Sequence, residues 1–379
     1  MKILIACDSF KDALPATEVC NALAKGIYSS FPEAQIIQKP LADGGEGTLA
    51  VLQAVLNGTY EFVQTFDALH RPILANYLWI APHHTAIIEM AKASGLELLE
   101  RGERNVMKTS TYGTGVLLKH ALDKGAKRIF LTVGGSATND AGMGMAKALG
   151  YEFLDEKGNS LEPSGENLGK IAIINSDKID KRINATEFYI ATDVINPLFG
   201  ENGAARVYAP QKGASAEQTD LLNSGLEHIH RLFKQIFSVD TQKIAGSGAG
   251  GGMGAGGICF LNGKIISAAQ WVFDTIGLST AVEQTEIVIT GEGRIDSQSF
   301  QGKVLSEVLN YAKKHQKPIY GIAGQVQELD SLLEIPEVVY VSAIQTGPQT
   351  LLDSIQNCRE LLYKKGKVIG KMLKTFHRG

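Results

Sequence analysis

The sequence predicts an α/β protein of two domains: a Rossmann-like domain on a parallel sheet, with an inserted mixed α/β domain. Three observations carry that expectation. Strand-like and helix-like periods alternate at both ends of the chain, residues 60–90 read as strands with no helix between them, and 379 residues exceed one ordinary domain. The expected division is 1–60 with 285–379 for the first domain and 61–284 for the insert, with the ligand site in a cleft between them.

Taken in order, residues 2–7 (KILIAC) form an apolar run that meets Asp8 at once, a strand whose exit loop is Asp8-Ser9-Phe10-Lys11. Val19, Leu23 and Ile27 give the next helix a one-sided apolar stripe. Residues 35–40 read as a second strand, and ADGGEGT (42–48) leads into a helix through about Leu56. This βαβα order implies a parallel sheet, whose ligands gather outside the carboxyl ends of the strands, where both loops lie. Runs at 60–66, 73–80 and 85–90, joined by His70-Arg71-Pro72 and Pro82-His83-His84, predict hairpin pairing instead. NVMKTSTYGTG (105–115) reads as a polar loop entering a helix over 116–124 that Gly125 ends.

The stretch RIFLTVGGSATNDAGMGMAKA (128–148) combines a buried strand at 129–133, a Gly134-Gly135 turn, a polar start and a helical spacing of Met143, Ala146, Lys147 and Leu149. A strand, glycine turn and helix start make an anion cradle of outward N–H groups. Simple capping by residues 138–140 accounts for the same types equally well. Residues 155–185 are polar and read as a surface excursion, 188–192 as a strand ending in Asp193, and 217–237 as an amphipathic helix. Beyond GSGAGGGMGAGG (246–257), the βα rhythm returns from Glu286. It runs through a strand at 287–290 with exit loop GEGRIDSQSFQGK, a helix at 304–315, and strands at 318–322 and 338–341. From about 350 the chain reads as helical, its basic run at 364–374 a solvated face.

Composition narrows the class. Hydrophobic residues at 44% and charged residues at 20% describe a globular chain with an ample core. A net charge of −3 gives no electrostatic reason to expect nucleic acid or an anionic membrane. No window approaches a membrane span, and the apolar start is too short for a signal peptide, so a cytoplasmic monomer or homodimer is expected. Cys7, Cys20, Cys259 and Cys358 lie far apart, which predicts buried free thiols. No Gly-Lys pair is followed by Ser or Thr, so there is no Walker A loop, and neither GxSxG nor HExxH occurs. His83, His84, His228 and His230 lack metal spacing and read as surface or structural residues. GxGxxG matches within 246–257 are nearly automatic in so glycine-rich a run; backbone donors around a phosphate and a flexible connection both remain open.

What remains is a set of loops combining glycine, carboxylate and cation: Asp8/Lys11, Asp43/Glu46, Lys108, Asp140, Asp193/Asn196, Gln211-Lys212 and Glu292/Arg294/Asp296/Lys303. Carboxylates without His or Cys suit Mg²⁺, a hard ion held by one or two of them plus phosphate oxygens. A carboxylate also positions or deprotonates an alcohol, while Lys and Arg offset charge on a transferring phosphoryl group. A phosphate-handling site follows.

The residues also match a family. The chain resembles the bacterial glycerate kinases of the first type (the glycerate 2-kinase family) from end to end. The resemblance runs through DSFK (8–11), PLADGGEGT (40–48), MKTSTYGTG (107–115), GGSATND (134–140), ATDVINPLFG (191–200), PQKGA (210–214), GAGGGMGAGG (248–257) and TGEGRIDSQSFQGK (290–303). Departures are mild: Asp12 and Ala13 stand where the family has Gly-Ser, Val106 where it has Pro, and Ala141 where it has Gly. The resemblance implies ATP-dependent, Mg²⁺-assisted phosphorylation of (R)-glycerate in organic-acid breakdown, giving 2-phosphoglycerate or, if the other hydroxyl attacks, 3-phosphoglycerate.

On that reading Asp193 is the catalytic carboxylate, with Lys11 and Arg294 as catalytic cations. Asp8, Ser9, Asp43, Gly44, Gly45, Glu46, Lys108 and Asp296 are expected around glycerate. Gly134, Gly135, Ser136, Thr138, Asn139, Lys212, Gly248, Gly250, Gly251 and Lys303 are expected around ATP, and Asp296 and Asp193 at Mg²⁺. A dinucleotide oxidoreductase is the first rival, with only Asp274 available for the ribose. A non-catalytic sugar-acid binder is the second; its anionic ligand would call for cations rather than this density of acids.

Overall fold

A computed structural model describes residues 1–296, 299, 303–327, 329–345, 347 and 349–377, with Lys303 described by its backbone alone. The expected Lys303 side-chain contact, and residues 297, 298 and 300–302 of the exit loop, lie outside the described residues. The chain divides into two compact units. One comprises Met1–Asp43, Ala50–Val55 and Ala269–Gly379; the other comprises Gly44–Leu49 and Leu56–Ala268.

The first unit is built on a five-stranded sheet in the order Val338–Ala343, Ile319–Val326, Ile287–Ile295, Lys2–Cys7, Gln35–Gln38. Every neighbouring pair is parallel. Residues 3–7 are all buried, as a strand covered on both faces requires, which explains the unbroken apolar run in the sequence. From Lys2–Cys7 the chain moves outward to Gln35–Gln38; from Ile287–Ile295 it moves outward the other way. The order therefore reverses between these two central strands, and open α/β sheets place ligands at the carboxyl side of such a switch point. Helices Ala16–Ser30 and Cys358–His377 pack together through Val19, Leu23, Ile27, Leu362, Ile369 and Leu373. Lys364, Lys367 and Lys371 stay on the exposed face, as the basic run predicts.

The second unit carries a six-stranded sheet in the order Lys264–Ile266, Glu187–Ala191, Arg128–Thr132, Thr85–Glu89, Pro72–Ile80, Thr59–Phe66. The first four strands are parallel, and the last two join by antiparallel pairing, the hairpins expected between 60 and 90. The sheet is thus mixed, and the α/β class is as the sequence implies. The stretch 155–185 is less irregular than expected: Ile173–Asn175 pairs with Glu152–Leu154 as a small ribbon. Helix Ala216–Phe237 opens on a Ser215/Gln218 capping box and buries Leu222, Leu226, Ile229 and Phe233.

Four readings need correction. The strand placed at 287–290 runs on to Ile295, so Glu292 and Arg294 belong to it rather than to an exit loop. The helix placed at 116–124 begins earlier, at Tyr112. Gly113 belongs inside it because a Cβ there would stand 1.9 Å from the Phe66 carbonyl oxygen, so the glycine serves close packing rather than a loop. Strand Lys264–Ile266 and helices Ala268–Ile276 and Leu278–Glu283 were not foreseen. The glycine run is no flexible connection either: Ala249–Leu261 is largely helical and mostly buried, interrupted by left-handed residues at Gly250, Gly251 and Gly252.

All four cysteines are free and buried. His228 Nε2 lies 2.7 Å from the Ile171 carbonyl oxygen and His230 Nδ1 2.8 Å from Thr241 Oγ1, which are structural roles. Among the described residues, no helix is long and apolar enough to cross a membrane.

Candidate active site

In the first unit, the switch point gathers carboxylates. Asp8 follows strand Lys2–Cys7, and its N–H donates to the Gly291 carbonyl (2.9 Å), which ties it to the neighbouring strand just before Glu292. The Leu41 N–H donates to the Cys7 carbonyl (2.9 Å), bringing the chain that leads to Asp43 to the same edge. Burial pushes the Asp8 carboxyl up to about 7, the Ser9 amide opposes that push, and the charges of Asp43 and Glu292 add to it. The Glu292 carboxyl is likewise raised by burial, with Asp296 and Asp43 contributing against a hydrogen bond from Ser299. Asp296 accepts from the Ser299 amide (3.1 Å) and pairs with Arg294 Nε (3.3 Å), while Arg294 Nη2 donates to Gln327 Oε1 (2.7 Å). Lys11 is exposed.

Acids that repel one another at the carboxyl edge of a parallel sheet are stabilised by a proton or a hard cation. Among the described residues no group of three or more His, Cys, Asp or Glu side chains is placed to hold a metal ion.

Asp8 makes a testable statement about stability. Its folded value of about 7 lies above its ordinary 3.8, so its contribution is fully present below about pH 4 and lost as pH rises through 7. Asp8→Asn carries no such loss. The stability of this variant relative to wild type, followed by denaturant unfolding, is expected to improve steadily from pH 4 to pH 8; a pH-independent difference would refute the cause assigned to the shift.

In the second unit, Glu89, Thr132, Ala191 and Ile266 end the four parallel strands at one edge. Asp193 lies two residues beyond its strand, and its Oδ1 accepts from Ser267 Oγ (2.7 Å), the residue that follows the neighbouring strand. The loop after Asp193 is held at several points. Asn196 Nδ2 donates to the Asn202 carbonyl (2.8 Å), Tyr208 Oη donates to Asn196 Oδ1 (2.8 Å), and Gly248 N donates to the Asn196 carbonyl (3.0 Å). A half-buried carboxylate on so constrained a loop is suited to orienting a hydroxyl group.

The GGSATND segment departs from the expected anion cradle. The helix behind it, Met143–Ala148, is short, and its first amides turn inward. Gly142 N and Gly144 N donate to the Asp140 carboxylate (both 3.1 Å), and Met145 N donates to Thr111 Oγ1 (2.8 Å). Asp140 also accepts from Thr111 N (2.7 Å) and Thr111 Oγ1 (2.8 Å), so this fully buried acid clasps two helix starts together. Burial raises its carboxyl, against those hydrogen bonds. Ser136, Thr138 and Asn139 are buried as well. Lys212, expected at a phosphate, is buried and donates to Ser136 Oγ (2.8 Å) and the Thr138 carbonyl (2.7 Å); burial pulls its amine down to about 7. At this segment the exposed groups are the backbone of Gly134 and Gly135.

Glycines meet at that point. A Cβ on Gly134 would stand 3.1 Å from Gly45 Cα and 3.4 Å from the Gly44 carbonyl oxygen, so the two glycine turns lie side by side. Glu46 and Lys108 are exposed. Gly248 and Gly251 are buried and Gly250 is half-buried, packed rather than open to solvent. Sequence reasoning missed Ser267, which follows a strand of only three residues. It also passed over Glu89, whose signal was an acid closing the fully buried run Thr85–Glu89.

The chain has relatives among known proteins. A model of the Glycerate kinase family matches residues 3–374. The chain is 38% identical over 373 residues to the glycerate 2-kinase of Escherichia coli K12, covering 98% of each chain. It is 39% identical to a Bacillus cereus glycerate kinase, covering 99% of this chain and 98% of the relative. A crystal structure from Salmonella typhimurium LT2, provisionally assigned as glycerate kinase 2, superposes with a TM-score of 0.85 at 38% identity over 100% of this chain and 99% of that one. The chain is an enzyme of the glycerate kinase family.

Proposed function

We propose that the protein phosphorylates (R)-glycerate with Mg²⁺·ATP, giving 2-phosphoglycerate and ADP, as a cytoplasmic step in organic-acid breakdown. The observation that carries this reading is the end-to-end likeness to proteins named for glycerate phosphorylation. The reaction is a transfer of the γ-phosphoryl group. The glycerate hydroxyl oxygen forms a bond to Pγ, the bond from Pγ to the ADP oxygen breaks, and the hydroxyl proton passes to a carboxylate.

In this reading Asp193 takes that proton, held in place by Ser267. Arg294 and Lys11 offset charge on the transferring group and on the glycerate carboxylate. Asp193 and Asp296 are the acids for the cation that accompanies ATP, whose part is to neutralise phosphate charge. The exposed Gly134-Gly135 backbone is the remaining candidate for phosphate contact in its segment.

The test is ADP release from Mg²⁺·ATP with (R)-glycerate, the product then being passed to enolase without phosphoglycerate mutase. ADP release with direct consumption by enolase is the expected outcome. A requirement for the mutase would move the phosphoryl group to the 3-hydroxyl. Absence of ADP with glycerate would overturn the substrate.

A further inference from the structure

Glu89 closes a parallel strand at the same edge as Asp193, and only 1% of it is exposed. A carboxylate is expensive to bury unless hydrogen-bonded. Its Oε1 accepts from Leu49 N (2.8 Å). Its Oε2 has no hydrogen-bond partner among the described residues and stands 3.6 Å from Lys92 Nζ.

Leu49 lies in the first turn of helix Thr48–Leu56, where backbone N–H groups lack partners within the helix. The residue before this helix is Gly47, which has no side chain to cap it. Glu89 therefore supplies from another strand the acceptor that the glycine loop cannot. Within the loop, Thr48 Oγ1 donates to the Gly45 carbonyl (2.8 Å). The same Gly44-Gly45 backbone lies beside Gly134, in the turn that follows Thr132, the residue level with Glu89 in the adjacent strand. Two glycine-rich turns thus lie side by side, and one buried acid that belongs to neither holds the helix start that follows the first.

We propose that Glu89 is a positioning residue: its carboxylate fixes the Gly44–Leu49 loop beside the Gly134 turn, and so sets the loop's grip on glycerate. The part concerning glycerate rests on the proposed function; the part concerning the loop does not.

Two variants separate the possibilities. E89Q keeps a carbonyl oxygen for Leu49 N–H at nearly the same shape, whereas E89L removes the acceptor. In E89L, hydrogen exchange of the peptide spanning 44–49 is expected to accelerate selectively, and kcat/KM for glycerate to fall about 10-fold or more through KM. E89Q is expected to restore both. Unchanged exchange at 44–49 in E89L overturns the proposal whatever the enzyme's substrate proves to be. Uniform acceleration across the whole chain, or equal damage by E89Q, also overturns it, since either would mean a general stabilising role or a role for charge. If exchange responds as expected but wild type releases no ADP with glycerate, the loop assignment stands and the proposed substrate falls.

Discussion

Replacing Asp193 by Asn is expected to lower kcat about 10²–10⁴-fold while leaving the affinity for ATP close to wild type. The substitution is nearly isosteric. An Asn carbonyl oxygen still accepts from Ser267 Oγ, and the loop keeps its ties through Asn196, so the geometry survives. What disappears is the ability to take a proton from the attacking hydroxyl. Loss confined to kcat is the signature of an interaction made in the transition state. Ser267→Ala should produce a smaller loss, because it removes the orienting bond and leaves the carboxylate. Steady-state rates with direct ATP binding measure both. Full turnover in the Asp193→Asn variant would take Asp193 out of the chemistry and shift attention to the acids around Asp8.

Much of this architecture is legible in the sequence because strand burial leaves a direct trace. The run at 2–7 is apolar because both faces of that strand are covered, and Thr59–Phe66 mixes exposed and buried residues because it is an antiparallel edge strand. Acids that follow strand ends could be picked out for the same reason: Asp8 and Asp193 lie one and two residues past theirs. Burial of polar side chains left no such trace. Asp140 and Lys212 have the composition of ligands, yet one clasps two helix starts and the other bonds to Ser136 and the Thr138 carbonyl. Their partners are set by tertiary packing between residues 29 to 76 positions apart. Glu89 illustrates the converse. It hides in a strand whose other residues are plainly core, and its partner Leu49 is 40 residues away.

The glycine run poses the sharpest case, since a missing Cβ serves phosphate binding and close packing equally well. What faces the glycine decides. Gly251 has φ +69, and a Cβ there would stand 1.9 Å from the Thr138 carbonyl oxygen, 2.7 Å from its carbon and 2.8 Å from Asn139 Cα. These are backbone atoms, which cannot rotate aside as a side-chain tip would. The Gly251 carbonyl in turn accepts from Ala141 N (3.1 Å), so a shift of one segment disturbs the other.

Gly251→Ala should therefore destabilise the second unit by roughly 3 kcal/mol or more, combining left-handed strain of ~1–2 kcal/mol with overpacking of ~1–3 kcal/mol. Gly158→Ala is the control. Gly158 belongs to the same unit and has φ +81, but a Cβ there would meet nothing within 4 Å among the described residues, so it should show the strain alone. Denaturant unfolding of both variants, with separate probes for each unit, isolates the packing contribution as their difference. Equal losses would mean that the backbone around Thr138 yields. A Gly251→Ala protein of normal stability that bound ATP poorly would return this segment to the phosphates.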